Sequence, residues 1–308
     1  MAQDEWLALD WGTSNARLWH MRGSEVISQA NGPSGMGQIT TAEYPAALAD
    51  LIQRAGAPAG LTAIICGMAG AKTGWREAGY VDVPCAPDAL GRNAVEVDAA
   101  PAAARAFILP GVCQRSPGPE DVMRGEETQI AGFLLDRPDH HGLLVLPGTH
   151  SKWVRIDGGR ISSFATVMTG ELFAVLSEHS ILRLSVNGPE DSALGKQGLS
   201  AGLAAGIAAP ERLGTGLFGI RAASLLSNSQ PAWSRAYLSG LLIGSEVAGM
   251  VMTMHAGAAP VTLIGSPRLT AIYTDAFQLA GLRAERFSGE DAVVRGLLSA
   301  RRHLERSS

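Results

Sequence analysis

The strongest constraint on this chain is a strand-turn-strand pattern that occurs twice. Leu7-Ala-Leu-Asp-Trp-Gly-Thr-Ser-Asn-Ala-Arg-Leu-Trp19 reads as a buried strand ending at Asp10, a tight turn through Gly12, Thr13 and Ser14, and a second strand from Ala16. Leu143-Leu-Val-Leu-Pro-Gly-Thr-His-Ser-Lys-Trp-Val-Arg155 repeats the pattern, with Gly148, Thr149 and His150 in the turn. The turns that follow also correspond, Arg22-Gly-Ser-Glu25 and Asp157-Gly-Gly-Arg160. The copies are spaced by almost half of the 308 residues, so they predict two related domains, each opening on its own hairpin.

Such a turn has a physical use. Glycine lets the backbone approach a ligand closely, and successive backbone N–H groups can point into one concavity that binds phosphate oxygens. Two hairpins facing each other would hold the β- and γ-phosphates of one nucleotide between two domains. Asp10, at the strand end, would hold Mg2+, through water as hard cations prefer. A single copy would be an ordinary hairpin; the second copy favours the nucleotide reading.

The net charge of −4 gives no reason to expect nucleic acid or an anionic membrane as partner. Cys66, Cys85 and Cys113 match no zinc spacing, and Cys66 and Cys113 sit in apolar runs that suit core residues in a reducing compartment. No basic stretch precedes an apolar run at the N-terminus, so a signal peptide is not expected and a cytoplasmic setting is. The longest apolar run, Tyr237 to Met254, contains Glu246, two serines and several glycines, and reads as a buried helix. It could serve as an interdomain core element or as the face of a homodimer.

Along the chain, strands are expected at Glu25–Asn31, Thr62–Cys66 and Ala106–Leu109, and a helix at Thr41–Ala55 capped by Thr40 or Thr41. Gly67–Pro87 reads as a long loop and a helix opens near Gly125. The second half predicts strands at 143–147, 151–156 and 160–168, a helix from about Gly170 to Leu184, and helical segments and loops through 187–230. A long helix then runs from Pro231 to His255, followed by a strand at Val261–Gly265, a helix at Pro267–Ala280, a strand at Arg283–Phe287 and a last helix at Glu290–Arg306. The expected fold class is therefore α/β with mixed sheets. The first domain would be residues 1–137, completed by a C-terminal helix at 289–306, and the second 138–288, with a cleft between them. Gly214-Thr-Gly-Leu-Phe-Gly219 matches the dinucleotide fingerprint in letters but follows no strand, and Cys66-Gly-Met-Ala-Gly-Ala-Lys-Thr73 lacks both P-loop glycines.

Several blocks together resemble the 2-dehydro-3-deoxygalactonokinase family, within the superfamily of sugar kinases, actin-like proteins and heat-shock ATPases. They are the first hairpin, Gly67-Met-Ala-Gly70 with Gly74-Trp75, Val122-Met-Arg-Gly-Glu-Glu-Thr-Gln129, Leu146-Pro-Gly-Thr-His-Ser-Lys-Trp153, Thr169-Gly-Glu-Leu172 and Leu238-Ser-Gly-Leu-Leu-Ile-Gly-Ser-Glu246. They span nearly the whole chain, in order. One departure is Thr13-Ser14, where the family has Ser-Thr; both orders keep the hydroxyls. The resemblance implies two ribonuclease H-like domains of the actin-like ATPase fold. It also implies transfer of the ATP γ-phosphoryl to the 6-hydroxyl of 2-dehydro-3-deoxy-D-galactonate, a small-molecule substrate, giving a 6-phosphate for aldol cleavage in galactonate catabolism.

Related sugar kinases place the base that accepts the hydroxyl proton just after a glycine, at a helix start before the second phosphate hairpin. Here that position is Gly125-Glu126-Glu127, with Glu126 the first candidate and Glu127 the second; the alternative, a first-turn acid favoured by the helix dipole, weighs more on Glu127 than on Glu126. Gly12, Thr13, Ser14, Gly148 and Thr149 are candidates for phosphate contacts, and His150 for phosphate or for packing in its turn. The substrate carboxylate calls for a cation, and Arg17 and Arg124 flank the motifs. Lys152 could meet phosphate or substrate, Trp75 could wall the sugar site or pack in the core, and Glu171 starts a helix beside the expected cleft. Gly265 and Ser266, at a strand-to-helix junction, suit adenosine. Two rivals remain at this stage: a kinase for an epimeric sugar acid such as 2-dehydro-3-deoxygluconate, and a non-catalytic nucleotide-dependent regulator on the same fold.

Overall fold

The first hairpin forms as the sequence predicts. β1 (Glu5–Trp11) pairs antiparallel with β2 (Ala16–Arg22), which pairs antiparallel with β3 (Glu25–Gly32). The structure is a computed structural model that describes residues 4–304 apart from 101, 117, 190–192 and 255–259. α1 (Tyr44–Ala55) follows, introduced by a capping box in which the Thr40 N–H donates to the Glu43 carboxylate at 2.7 Å. β4 (Thr62–Gly67) then lies parallel to β1 on its other side. After it come β5 (Tyr80–Asp82), α2 (Asp88–Arg92), β6 (Val95–Val97), β7 (Arg105–Ile108), β8 (Gly111–Gln114), β9 (Asp121–Met123) and α3 (Glu126–Leu134). The main sheet has the order β3-β2-β1-β4-β7-β6.

β1 is apolar almost throughout because both of its faces are covered. Leu7, Leu9 and Trp11 alternate onto one core with Leu48, Leu51 and Ile52 of α1. Trp6 and Ala8 point into the other core, with Val293, Leu297 and Ala300 near the C-terminus.

The second half repeats the order. β10 (Gly142–Leu146), β11 (Ser151–Asp157) and β12 (Arg160–Val167) are followed by α4 (Thr169–Glu178), α5 (Ala193–Ala208), α6 (Leu213–Leu226) and α7 (Pro231–Thr253). β13 (Val261–Gly265), α8 (Pro267–Leu279), β14 (Ala284–Ser288) and α9 (Gly289–Leu304) complete the chain. The sheet reads β12-β11-β10-β13-β14, with β13 parallel to β10. In both sheets the third, second and first strands stand side by side and a later strand runs parallel to the first, which is the ribonuclease H-like arrangement of the actin-like ATPase fold.

Chain contacts divide the protein into two units: Met1–His141 with Ile156–Phe164 and Phe287–Ser308, and Gly142–Arg155 with Ala165–Arg286. In the first unit α3 and α9 cross at glycines. A Cβ on Gly132 would stand 1.8 Å from the Ala292 carbonyl oxygen, and one on Gly296 would stand 1.9 Å from that of Thr128. Ile161 groups with this unit because it exchanges backbone hydrogen bonds with Cys85, at 3.0 and 2.9 Å. In the second unit α5 and α7 are similarly close: a Cβ on Gly202 would lie 2.2 Å from the Tyr237 carbonyl oxygen and one on Gly240 would lie 2.4 Å from that of Leu199. α7 is long and apolar enough, by length and composition, to cross a membrane. Its packing on α5 makes it a core helix of this unit, as its glycines and Glu246 suggest.

Some expectations give way. The stretch 67–87 is not all loop; it holds a 3₁₀ turn (Met68–Gly70) and β5, which joins β8 and β9 in a three-stranded sheet. The helix expected to reach Leu184 stops at Glu178 because Ser180 starts a new 3₁₀ turn, donating to the Leu176 carbonyl at 2.5 Å and accepting from the Leu182 N–H at 3.0 Å. The G-x-G-x-x-G match lies inside α6, away from any strand. The expected helix ends at His255 and Arg306 lie outside the described residues.

Candidate active site

In the first unit, the Gly12 N–H closes its turn on the Asn15 carbonyl at 2.8 Å, leaving Thr13 and Ser14 exposed at the tip. The loop after β3 lies directly against it. Met36 and Gly37 donate N–H bonds to the Gly12 and Thr13 carbonyls at 3.0 and 2.9 Å, and a Cβ on Gly35 would come 2.3 Å from the Ser14 backbone. Asp10 sits at the end of β1 opposite Arg17 in register, and Arg17 Nη2 pairs with Asp10 Oδ2 at 2.5 Å. Cys66, its neighbour on β4, donates a weak S–H bond to Asp10 Oδ1 at 3.8 Å. Burial, then the charges of Asp10 and Glu127, push the Cys66 thiol well above its ordinary range, so it stays a thiol. The next residue, Gly67, has φ +86°, and a Cβ there would strike the Trp11 carbonyl at 2.6 Å.

The start of α3 abuts this point, since a Cβ on Gly125 would stand 3.7 Å from the Gly67 Cα. Glu127 is buried and folds back on the helix start: the Gly125 N–H donates to its two oxygens at 2.9 and 2.7 Å, and the Thr128 hydroxyl donates at 3.1 Å. Burial, reinforced by Glu126, pushes its carboxyl up to about 8. Glu126 is only half-buried, and its Oε2 accepts the Arg124 N–H at 3.2 Å. The Arg124 guanidinium lies over the Tyr80 ring at 4.5 Å and donates from Nη2 to the Gly79 carbonyl at 2.8 Å. Its Nε and Nη1 are buried without a hydrogen-bond partner among the described residues. Gly70 makes room for it, because a Cβ there would meet Nη1 at 2.6 Å. Trp75 stacks on the fully buried Tyr44 at 5.5 Å and meets Trp11 edge-on at 6.2 Å, so it packs against the core while one side stays partly exposed.

In the second unit the turn between β10 and β11 carries Gly148, Thr149 and His150, the last two exposed. His150 Nε2 is hydrogen-bonded to the Glu171 carboxylate. The Glu171 N–H donates to the Thr149 carbonyl at 3.0 Å, and a Cβ on Gly170 would lie 2.6 Å from the Gly148 carbonyl oxygen, so the start of α4 lies against the turn. Lys152 is buried and donates from Nζ to the His150 carbonyl at 3.3 Å. Beside the turn opens a cavity of about 640 Å³, lined by Gly148, Thr169, Phe173, Ser266, Arg268 and Tyr273 among others. Ser266 caps α8, accepting the Leu269 N–H at 3.4 Å. Among the described residues nothing demands glycine at 148, where a Cβ would meet open space, or at 265, where it would make only ordinary contacts.

The sequence profile of the 2-keto-3-deoxy-galactonokinase family matches residues 10–300. The chain belongs to this family. It is 38% identical over 297 residues to the probable 2-dehydro-3-deoxygalactonokinase of Rhizobium meliloti (strain 1021), covering 96% of each chain. It is 34% identical, over the same shares, to the 2-dehydro-3-deoxygalactonokinase of Escherichia coli (strain K12). A crystal structure of a Sinorhizobium meliloti protein described as a candidate 2-dehydro-3-deoxygalactonokinase superposes with a TM-score of 0.89 at 37% identity, covering 96% of this chain and 98% of that one. Membership of the galactonokinase family makes this chain an ATP-dependent sugar-acid kinase acting on a small molecule.

For this galactonokinase-family chain, sequence reasoning had singled out residues that the structure brings together in two groups. Asp10 and Arg17 are joined, close to the helix start bearing Arg124 and Glu126, in the first unit. In the second, Thr149, His150, Glu171 and Lys152 gather at the hairpin, and Gly148 and Ser266 line one cavity. Three contributors were missed: Cys66 beside Asp10, Tyr44 under Trp75, and Glu246, whose buried carboxylate lies behind the second hairpin. Only Glu246 left a signal, as a lone acid in an apolar helix.

Proposed function

We propose that the chain transfers the γ-phosphoryl group of ATP to the 6-hydroxyl of 2-dehydro-3-deoxy-D-galactonate, in galactonate catabolism and in the cytoplasm. The observation that carries this reading is Arg124. Two of its donors are buried without a partner among the described residues, a condition that costs about 1–3 kcal/mol per group, and they lie next to the carboxylate-bearing start of α3. A substrate carboxylate that draws the guanidinium out of its packing against Gly70 would satisfy them. Arg17 suits that task less well, because Asp10 already holds it.

Glu126 acts as the base: it takes the 6-hydroxyl proton as the oxygen attacks the γ-phosphorus and ADP leaves. Its partial exposure favours it over Glu127, which is buried and bonded to its own helix start. Thr13 and Ser14 with the Gly12 backbone, and Thr149 and His150 with the Gly148 backbone, contact phosphate. Lys152 and Glu171 support the second turn, and Trp75 borders the sugar. The cavity beside Gly265 and Ser266 takes adenosine, with the positive N-terminal end of α8 at its edge. Mg2+ neutralises phosphate charge when bound. The donor set fits it: Asp10 offers one hard carboxylate, and among the described residues no three His, Cys, Asp or Glu side chains gather to enclose an ion. One carboxylate with water and phosphate oxygens is how this cation serves phosphoryl transfer.

Calorimetry and steady-state kinetics on two variants test the reading. Arg124→Ala should lose sugar-acid affinity while ATP affinity stays within about twofold, and Glu126→Gln should lose turnover by roughly 10²-fold or more while still binding nucleotide. Unchanged sugar-acid affinity in the first, or near-normal turnover in the second, removes the corresponding assignment.

A further inference from the structure

Glu246 sits mid-way along α7 with its carboxylate buried. Trp153 Nε1 donates to Oε1 at 2.7 Å. The Tyr273 hydroxyl donates to Oε2 at 2.6 Å, and the Ser151 hydroxyl approaches the same oxygen at 3.5 Å. The Ser151 and Tyr273 hydroxyls are 3.0 Å apart, and the Thr169 hydroxyl also bonds the carboxylate. One side chain therefore ties together β11, α7, α8 and the start of α4. Ser151 and Trp153 belong to the strand that leaves the Gly148-Thr149-His150 turn, while Thr169 and Tyr273 line the cavity. Glu246 itself is not among the lining residues.

A carboxylate is a costly way to fill the centre of an apolar helix, and an apolar residue of similar size would often give a fold at least as stable. What the carboxylate adds is geometry: several donors from separate elements converge on two oxygens. We infer that Glu246 is a positioning residue for the nucleotide, holding the second phosphate turn, the start of α4 and α8 in the one arrangement that shapes the cavity. The inference rests on the reading that this cavity takes adenosine.

The test uses the full chain and the non-hydrolysable analogue adenylyl imidodiphosphate. Glu246→Leu, Glu246→Gln and a cavity-filling Ala271→Trp are compared by calorimetric affinity, KM for ATP, KM for the sugar acid and thermal midpoint. Glu246→Leu should keep its thermal midpoint yet weaken analogue binding and raise KM for ATP by about tenfold, with KM for the sugar acid unmoved. Glu246→Gln should recover most of the loss, because its carbonyl can accept from Trp153 while its amide donates to a reversed Tyr273 hydroxyl. If Glu246→Leu does not fold, Trp153→Phe carries the test: it removes one of these bonds, and KM for ATP should rise about threefold. Glu246→Leu, or Trp153→Phe in its place, with unchanged nucleotide affinity overturns the inference when Ala271→Trp has lost binding. Wild-type binding by Ala271→Trp overturns the cavity reading, and the inference with it.

Discussion

Replacing Glu127 with glutamine should make the protein more stable at alkaline pH, although Glu127 lies beside the base proposed for catalysis. The carboxyl is buried at the start of α3, and burial raises it from the ordinary 4.5 to about 8. The unfolded chain therefore releases this proton near pH 4.5, and the folded chain holds it until about pH 8. Below pH 4.5 both states are protonated and the group makes no difference. Between the two values the unfolded state carries one proton fewer, so stability falls by about 1.4 kcal/mol per pH unit as pH rises. Across the whole interval the loss approaches roughly 5 kcal/mol. Glutamine is neutral at every pH, and its carbonyl can still accept the Gly125 N–H that now bonds Glu127 at 2.7 Å. Urea unfolding of wild type and Glu127→Gln between pH 5 and 8.5 reads the effect, and taking the difference cancels the titrating groups that do not interact with Glu127. The variant should be within about 1 kcal/mol of wild type at pH 5 and more stable by several kcal/mol at pH 8. A variant-minus-wild-type difference that stays flat across this range would refute the burial argument.

Other outcomes follow from the same geometry. Asp10→Asn should raise the Mg2+ concentration needed for half-maximal rate by tenfold or so, and an unchanged Mg2+ dependence would free Asp10 from its metal role. Gly132→Ala puts a methyl group 1.8 Å from the Ala292 carbonyl oxygen, so α3 and α9 must separate. Roughly 3 kcal/mol of stability should be lost in urea unfolding, the upper end for overpacking, and a variant as stable as wild type would mean the crossing yields more easily than described.

Much of the fold was legible because its signals are local. Gly12 and Gly148 end two apolar strands in matching contexts, which pointed to two related halves, and the two sheets share the order of their first four strands. The apolar run of β1, buried on both faces, marked a central strand. The three-stranded sheet was not legible: Tyr80–Asp82, Gly111–Gln114 and Asp121–Met123 are too short for a periodic pattern, and pairing holds them. Ser180 ended a helix through bonds that propensity does not carry. At the site, Asp10 and Glu126 stood out by residue type and position. That Arg17 would be taken up by Asp10 followed from hairpin register, and that Glu127 would be buried while Glu126 stays half-exposed followed from how α3 meets Gly67; neither is visible in the order of residues. Lys152, a candidate for phosphate or substrate contact from its place after the turn, is buried and donates to the His150 carbonyl, a burial that its charge does not announce.

The central claim is most directly tested by coupled measurement of ADP release with Mg-ATP and the purified chain, comparing 2-dehydro-3-deoxy-D-galactonate, its gluconate epimer and no sugar acid. The account predicts sugar-dependent ADP release that strongly favours the galactonate compound and a product phosphorylated at the 6-hydroxyl. Preference for the epimer would contradict the substrate assignment, and folded, ATP-binding protein with no sugar-dependent release would contradict the reaction itself.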